Sequence, residues 1–172
     1  VALSSSGDVD ALNAADIPGG ERNVGDELTH LIATIGENMT LRRAANVFVS
    51  NGALASYVHS AIAPGMGKIG VLVGLESDSD ADKLAELGKQ IAMHIAAAKP
   101  LAVSQDDLDQ AEVERERAVL SEQARESGKP EEIIEKMVIG RLRKFYEEVC
   151  LLDQTFVIDG ETKISDVLAN AT

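Results

Sequence analysis

The sequence predicts an α+β fold: a small antiparallel sheet with covering helices, plus a protruding antiparallel helical hairpin. Three observations predict it. Short runs with alternating or continuous apolar character occupy the stretch up to Leu75, separated by Asn51-Gly52 and Pro64-Gly65-Met66-Gly67. From Asp80 to Ala98 the apolar residues instead recur at helical spacing. From Ser104 to Cys150 two charged runs of similar length meet at Ser127-Gly128-Lys129-Pro130.

In chain order, residues 1–25 are rich in Ser, Gly, Asp and Ala, with Pro18-Gly19-Gly20 as a breaker, and read as loop with at most the tail of a helix at Val1 to Ser4. A short helix starts at Asp26, with Leu28, Leu31, Ile32 and Ile35 on one side and Gly36 as its stop. Asn38 to Ser50 alternates through Met39, Leu41 and Arg43, as a half-buried strand would. Asn51-Gly52 is a strong hairpin-turn dipeptide, a second strand follows from Ala53 to about Ala61, and Ile69 to Leu75 supplies a third. The helix from Asp80 to Ala98 presents Leu84, Leu87, Ile91 and Ile95 to one face of this sheet, and Lys99-Pro100 ends it.

Ser104 can cap the next helix, and Asp107 three residues on closes a capping-box-like pair at the positive helix end. That helix is expected to run to about Ser127 with a thin apolar stripe of Leu108, Ala111, Ala118 and Val119, interrupted by Arg115. Gly128 suits the left-handed closing residue, and Pro130 suits the first turn of the following helix. There Ile134, Val138, Leu142, Phe145 and Val149 form one stripe, with Ile133 and Met137 beside it. The short connection makes an antiparallel pair the economical arrangement, each arm roughly 30 Å long. Gly140 either admits a close helix neighbour or is a tolerated flaw costing about 1 kcal/mol relative to Ala. Acidic side chains outnumber basic ones on these arms, a pattern most simply read as a solvated paired helix. Beyond them, Phe156 to Ile158 reads as a short extended piece, Asp159-Gly160 as a turn, and Ile164 to Ala169 as a short helix.

Composition narrows function by exclusion. A net charge of −13 argues against a nucleic-acid backbone or an anionic membrane as principal partner and favours a protein or a small molecule. With three Phe, two Tyr and no Trp, the core must be aliphatic. The single cysteine, Cys150, excludes an internal disulfide framework and suits a reducing, cytoplasmic setting. No run has the length of a membrane-spanning helix. Val1 begins in mid-pattern and Thr172 follows directly on a helical run, so both ends read as cut from a longer chain.

Motifs for chemistry are weak. Gly65-x-Gly67-x-x-Gly70 matches a dinucleotide glycine pattern, but a strand follows the glycines where that motif needs a helix N-terminus, so a strand-to-strand turn is the better reading. Gly67-Lys68 lacks the Ser or Thr of a phosphate-binding loop. Asp78-x-Asp80-x-Asp82 resembles the start of a calcium loop, yet Lys83 and Lys89 occupy the positions that need Gly and Glu, which leaves an acidic helix cap. His30, His59 and His94 share no metal-ligand spacing, and His94, beside Ile91 and Ile95, reads as a packed helix residue. No nucleophile–base pair stands out, so no cofactor, no metal and no covalent catalysis are expected. His59 shares a strand face with Tyr57 and Ala55 just before the glycine turn, where a contact role and a core role are both open.

An ordered series of segments carries a resemblance. Ile35-Gly36-Glu37-Asn38 with Leu41-Arg42-Arg43, Ser56-Tyr57-x-His59, Ile69-Gly70-Val71-Leu72-Val73, and Ile91-Ala92-Met93-His94-Ile95-Ala96-Ala97 with Lys99-Pro100 resemble the bacterial elongation factor Ts family. Ser127-Gly128-Lys129-Pro130, Glu135-Lys136-Met137, Gly140-Arg141, Lys144-Phe145 and Gln154-x-Phe156-Val157 continue the series in order, from about Asp26 to Leu168. The resemblance implies a guanine-nucleotide exchange factor that binds elongation factor Tu and lets GDP leave, acting by binding and not as an enzyme.

It further implies a division of the chain. Residues 1–50 would be the remainder of the N-terminal half of a core, 51–103 the first part of its C-terminal half, 104–150 a coiled-coil hairpin through which a homodimer could form, and 151–172 the return to the core. Ile35 and His59 match partner-contacting positions of the family, and Tyr57, Arg141 and Lys144 lie in matching segments and are assigned to partner binding with them. The family's N-terminal helical module and its Thr-Asp-Phe-Val strand would precede Val1, and a closing strand would follow Thr172. A hairpin-mediated oligomerisation or adaptor module, and a small-molecule binder at the glycine turn, are the alternatives.

Overall fold

The computed structural model describes residues 6–171, so the helix tail expected at Val1 to Ser4 lies outside the described residues. Contacts divide the chain into two compact units, Val1–Phe48 and Val49–Thr172.

The first unit holds α1 (Val9–Ala14) and α2 (Val24–Ile35). A helix forms inside the stretch expected to be loop because the Asp8 carboxylate accepts from the Asp10 and Ala11 amides and Leu12 is buried. The Asn23 side chain accepts from the Asp26 amide to start α2, and Gly36, at φ 81°, ends it. Among the described residues the strand expected over Asn38–Ser50 is absent: residues 36–49 carry no regular secondary structure. Alternation alone does not make a strand, because its backbone needs a ladder partner and the described residues supply none. The alternation has a side-chain use nonetheless, since Met39 and Leu41 line one apolar cleft with Val24, Leu28 and Leu31 of α2.

In the second unit β1 (Gly52–Ala63) and β2 (Met66–Glu76) form, among the described residues, a two-stranded antiparallel sheet instead of the expected three-stranded one. Gly52 opens β1 where a hairpin turn was expected. Its φ of 141° and its closeness to the Leu75 carbonyl leave no room for a side chain. The expected turn at Gly65 does join the two strands, with Gly65 at φ 73°.

The Asp80 carboxylate caps α3 (Ala81–Ala98) by accepting from the Asp82 and Lys83 amides, so it serves the helix start that the calcium-like spacing resembles. Leu84 and Ile91 are buried, and Leu87 and Ile95 pack on the core, as the helical period requires. At Gly88 a methyl group would sit 2.8 Å from the Ala55 Cβ, so α3 lies close against β1. The core joins Val73, Ile91 and Ala92 to Leu151, Phe156 and Ile164 from beyond the helical arms. Full burial of side chains such as Ile91 and Ile164 contributes about 1.5–3 kcal/mol each.

The first arm is not one helix. A 3₁₀ turn, Gln105–Asp107, precedes α4 (Gln110–Arg125), and Asp109 caps the latter. The break lets Leu108 turn inward and pack with Val113 and Cys150. The apolar side of α4 also differs from expectation. Val113, Leu120 and Ala124 face inward, while Ala111, Ala118 and Val119 are exposed. In α5 (Glu131–Val149) the expected stripe holds, with Ile134, Val138 and Leu142 buried against Ala124 and Leu120. Contacts run in opposite directions along the pair, Arg125 meeting Glu131 near the connection and Val113 packing near Val149 at the other end.

Where the arms leave and rejoin the unit, the chain is stapled to itself. Leu101 N–H donates to the Val149 carbonyl at 2.8 Å, and the Leu151 and Leu152 amides donate to the Ala102 and Val103 carbonyls at 2.9 and 3.0 Å. After a 3₁₀ turn, Leu151–Asp153, Phe156 is buried within a turn closed by the Gly160 amide, so the extended piece expected at Phe156–Ile158 is replaced by a loop that inserts an aromatic ring. The last element, α6 (Ile164–Ala169), contributes Ile164 to the core.

Candidate functional site

The alternating side chains of β1 place Ala53, Ala55, Tyr57 and His59 on one face, opposite Leu75, Val73, Val71 and Ile69 of β2. This is the face covered by α3. The cover thins toward the glycine turn: Tyr57 is half-buried and still packs on the core, whereas His59 is exposed. The Tyr57 hydroxyl lies 3.1 Å from His59 Nδ1, and the two rings are 6.0 Å apart and tilted by 42°. His59 is thereby a rim residue and not a core one.

The backbone beyond it is irregular. Ser60 has φ 52°, and the register shifts between Ala61 and Ala63. Gly67 passes so close that a methyl group there would sit 2.7 Å from the His59 carbonyl oxygen. Sequence reasoning missed this bent rim; Gly67 opposite an alternating strand was its only local signal.

Ile35, the last residue of α2, is 57% exposed and belongs to the first unit. Arg141 and Lys144 are on α5, apart from the rim. Arg141 is half-buried and donates through Nη1 to Gln123 Oε1 of α4 at 3.3 Å, so it also braces the helix pair. Lys144 is exposed. The structure thus brings Tyr57 and His59 together and leaves Arg141 and Lys144 on a separate helix surface.

Two local electrostatic features mark the root of the arms. The Ser104 hydroxyl and amide both donate to the Asp107 carboxylate, at 2.7 and 2.9 Å, and hold it below the usual carboxylate range. Burial pushes the Cys150 thiol up, helped by the nearby carboxylates of Asp153 and Asp107. Among the described residues no three His, Cys, Asp or Glu side chains cluster so as to hold a metal ion. No helix among them is long and apolar enough to cross a membrane.

His94 is wholly buried and Gln154 nearly so. His94 Nε2 lies 2.9 Å from Gln154 Oε1, and the Val157 amide donates to His94 Nδ1 at 3.3 Å. An accepting Nδ1 makes Nε2 the protonated nitrogen, so Nε2–H donates to Gln154, and Gln154 Nε2 in turn donates to the Glu148 carbonyl at 2.6 Å. Both ring nitrogens are therefore committed to structure, in keeping with the packed-helix reading.

These features define a protein of the α+β class: a helix-covered β-hairpin with a polar rim, extended by a pair of long, charged helices. The chain belongs to the elongation factor Ts family of translation factors, whose family model, described as Elongation factor TS, matches residues 1–172. It is 62% identical over 170 residues to elongation factor Ts of Paramagnetospirillum magneticum, covering 99% of this chain and 54% of that protein. The corresponding protein of Rhodospirillum centenum is 60% identical over 171 residues, covering 99% and 56%. That of Rhodospirillum rubrum is 61% identical over 170 residues, covering 98% and 55%. The chain thus spans about half the length of the curated relatives it matches.

Proposed function

We propose that this chain serves as part of a guanine-nucleotide exchange factor: it binds elongation factor Tu and favours the state of that partner from which GDP has left. The observation that carries the reading is the family match over residues 1–172. The exposed Tyr57–His59 rim supports it by offering a polar contact at a family-matching position. Exchange of this kind is differential binding, so a contact contributes only if it holds the nucleotide-free partner more tightly than the GDP-bound one. Ile35 and His59 supply affinity in this reading, and Tyr57, Arg141 and Lys144 are assigned to partner binding with them. The paired helices α4 and α5 form the projecting hairpin of the family's architecture, and the domain division at 50, 103 and 150 follows from it.

The family's Thr-Asp-Phe-Val motif is not among these 172 residues, so the chain as written should bind factor Tu more weakly than a chain that carries the motif, and should speed GDP release little. Stopped-flow release of fluorescent GDP from factor Tu at saturating chain tests this. Acceleration close to that of a full-length family member would show that the residues present suffice, and absence of any binding would overturn the partner assignment.

A second reading, self-association through the helix pair, draws on the exposed apolar side chains Val119 on α4 and Ile139 on α5, which are 48% and 65% exposed. Sedimentation equilibrium separates the two: a monomer that binds factor Tu excludes it.

A further inference from the structure

The Tyr57–His59 pair determines more than the location of a contact, because it determines which hydrogen-bonding group the rim presents. The Tyr57 ring is anchored in the core against β2 and α3, so its hydroxyl approaches His59 from a fixed direction. The hydroxyl oxygen stands 3.1 Å from Nδ1, within hydrogen-bond range. A phenol is a stronger donor than acceptor, and a neutral imidazole nitrogen is a good acceptor; donation from Tyr57 to Nδ1 is therefore the favoured polarity. That bond leaves the proton on Nε2, the ring atom on the far side from Tyr57. In water a free imidazole favours the same tautomer only weakly, so the hydroxyl turns a mixture into one form. Beyond the ring the backbone turns at Ser60, with φ 52°, and Gly67 passes close behind the His59 carbonyl.

We propose that Tyr57 is a positioning residue for His59, holding the imidazole in the Nε2–H form, and that the group meeting His59 on a protein partner is a hydrogen-bond acceptor, a backbone carbonyl or a carboxylate. The second half rests on the contact reading under Proposed function, and the first half does not.

The two halves are tested separately. In the free protein, long-range proton–nitrogen spectra of chain labelled with ¹⁵N-histidine, recorded where the imidazoles are neutral and assigned with His59→Gln, report the tautomer of His59. The expected result is an unprotonated Nδ1 and a protonated Nε2 in the parent chain. Tyr57→Phe keeps the ring in the core, so the fold survives, and should move both nitrogen shifts toward an averaged tautomer mixture. A protonated Nδ1 in the parent, or identical shifts in Tyr57→Phe, overturns the positioning role.

For the acceptor, titration calorimetry with factor Tu compares two variants. The Gln side-chain nitrogen reaches the place of imidazole Nε2 and can donate there, whereas Asn reaches only the place of Nδ1. His59→Gln should bind within about threefold of the parent, His59→Asn about tenfold more weakly, and Tyr57→Phe between them, as the loss or weakening of one directed hydrogen bond requires. Equal weakening by Gln and Asn overturns the acceptor assignment. If no His59 variant changes affinity while the spectra behave as expected, the contact reading fails and the positioning role stands.

Discussion

At the scale of single residues, two groups at the root of the arms respond to pH in opposite senses. The folded Asp107 carboxyl has its pKa lowered, first by the Ser104 hydroxyl and then by the Ser104 amide. Its contribution is present above the ordinary carboxylate value and is lost as pH falls through the lowered folded one. Acidification should therefore release the turn at Ser104, read as a loss of protection of the Ser104 amide relative to its intrinsic exchange rate at the same pH, and Asp107→Asn should show that loss already at neutral pH. For Cys150 the folded pKa is raised by burial, so the stability of the neutral thiol is complete below the unfolded value and is lost as pH rises through the folded one. Because the thiolate is the reactive form, alkylation at pH 8 should be slower in the folded chain than in urea, and Leu108→Ala, which opens the Cys150 pocket, should speed it. Equal rates in folded and unfolded chain would place Cys150 at the surface. The Ser104–Asp107 pair was legible in the sequence because a cap needs only its own turn. The burial of Cys150 was not, since Leu108 and Val113 lie on the other arm.

At the scale of elements, the helix pair rests on Ile134, Val138 and Leu142. Val138→Asp would place an unpaired carboxylate among them, at a cost of several kcal/mol. Hydrogen exchange should then rise along α4 and α5 while amides of α3 stay protected; unchanged exchange in the arms would refute the packing. Val119→Asp, on the exposed side of α4, should leave exchange nearly unaltered, although the sequence placed Val119 on the inner stripe. That error arose because an acidic, Ala-rich helix offers two thin stripes of comparable apolarity, and only the position of α5 selects between them. Gly140 is resolved by the same geometry. Among the described residues nothing lies within 4 Å of a methyl group placed there, so Gly140 does not serve close approach of α4, and Gly140→Ala should stabilise the arm by up to about 1 kcal/mol in urea unfolding.

At the scale of the whole second unit, the His94–Gln154 bond joins α3 to the segment that follows the arms, and Gln154 also holds the Glu148 carbonyl at the end of α5. His94→Leu would fill the space but leave Gln154 Oε1 and the Val157 amide without their partner, which should cost about 1–3 kcal/mol. The change should appear as a lower urea midpoint with the cooperative slope retained. An unchanged midpoint would mean that the pair is replaceable by apolar packing, as buried polar pairs sometimes are.

What the sequence by itself determined is what one or two turns of chain decide. The stop at Gly36, the cap at Asp80, the glycine turn before β2, the period of α3 and the stripe of α5 all follow from side chains acting on backbone a few residues away. The ordered family segments were legible for a different reason, being strings of residue identities that need no geometry. Only the tertiary structure decided whether an alternating run pairs, where the first arm breaks and which way an aromatic turns. Asn38–Ser50 has the pattern of a strand, but a ladder is a property of two segments. Leu108 leaves its helix for a pocket made by Cys150, and Phe156 enters a core assembled from β2, α3 and α6. The bond between His94 and Gln154, separated by 60 residues, is the same case. Such contacts exist only once the chain has closed on itself, and no local pattern encodes the partner that closure brings.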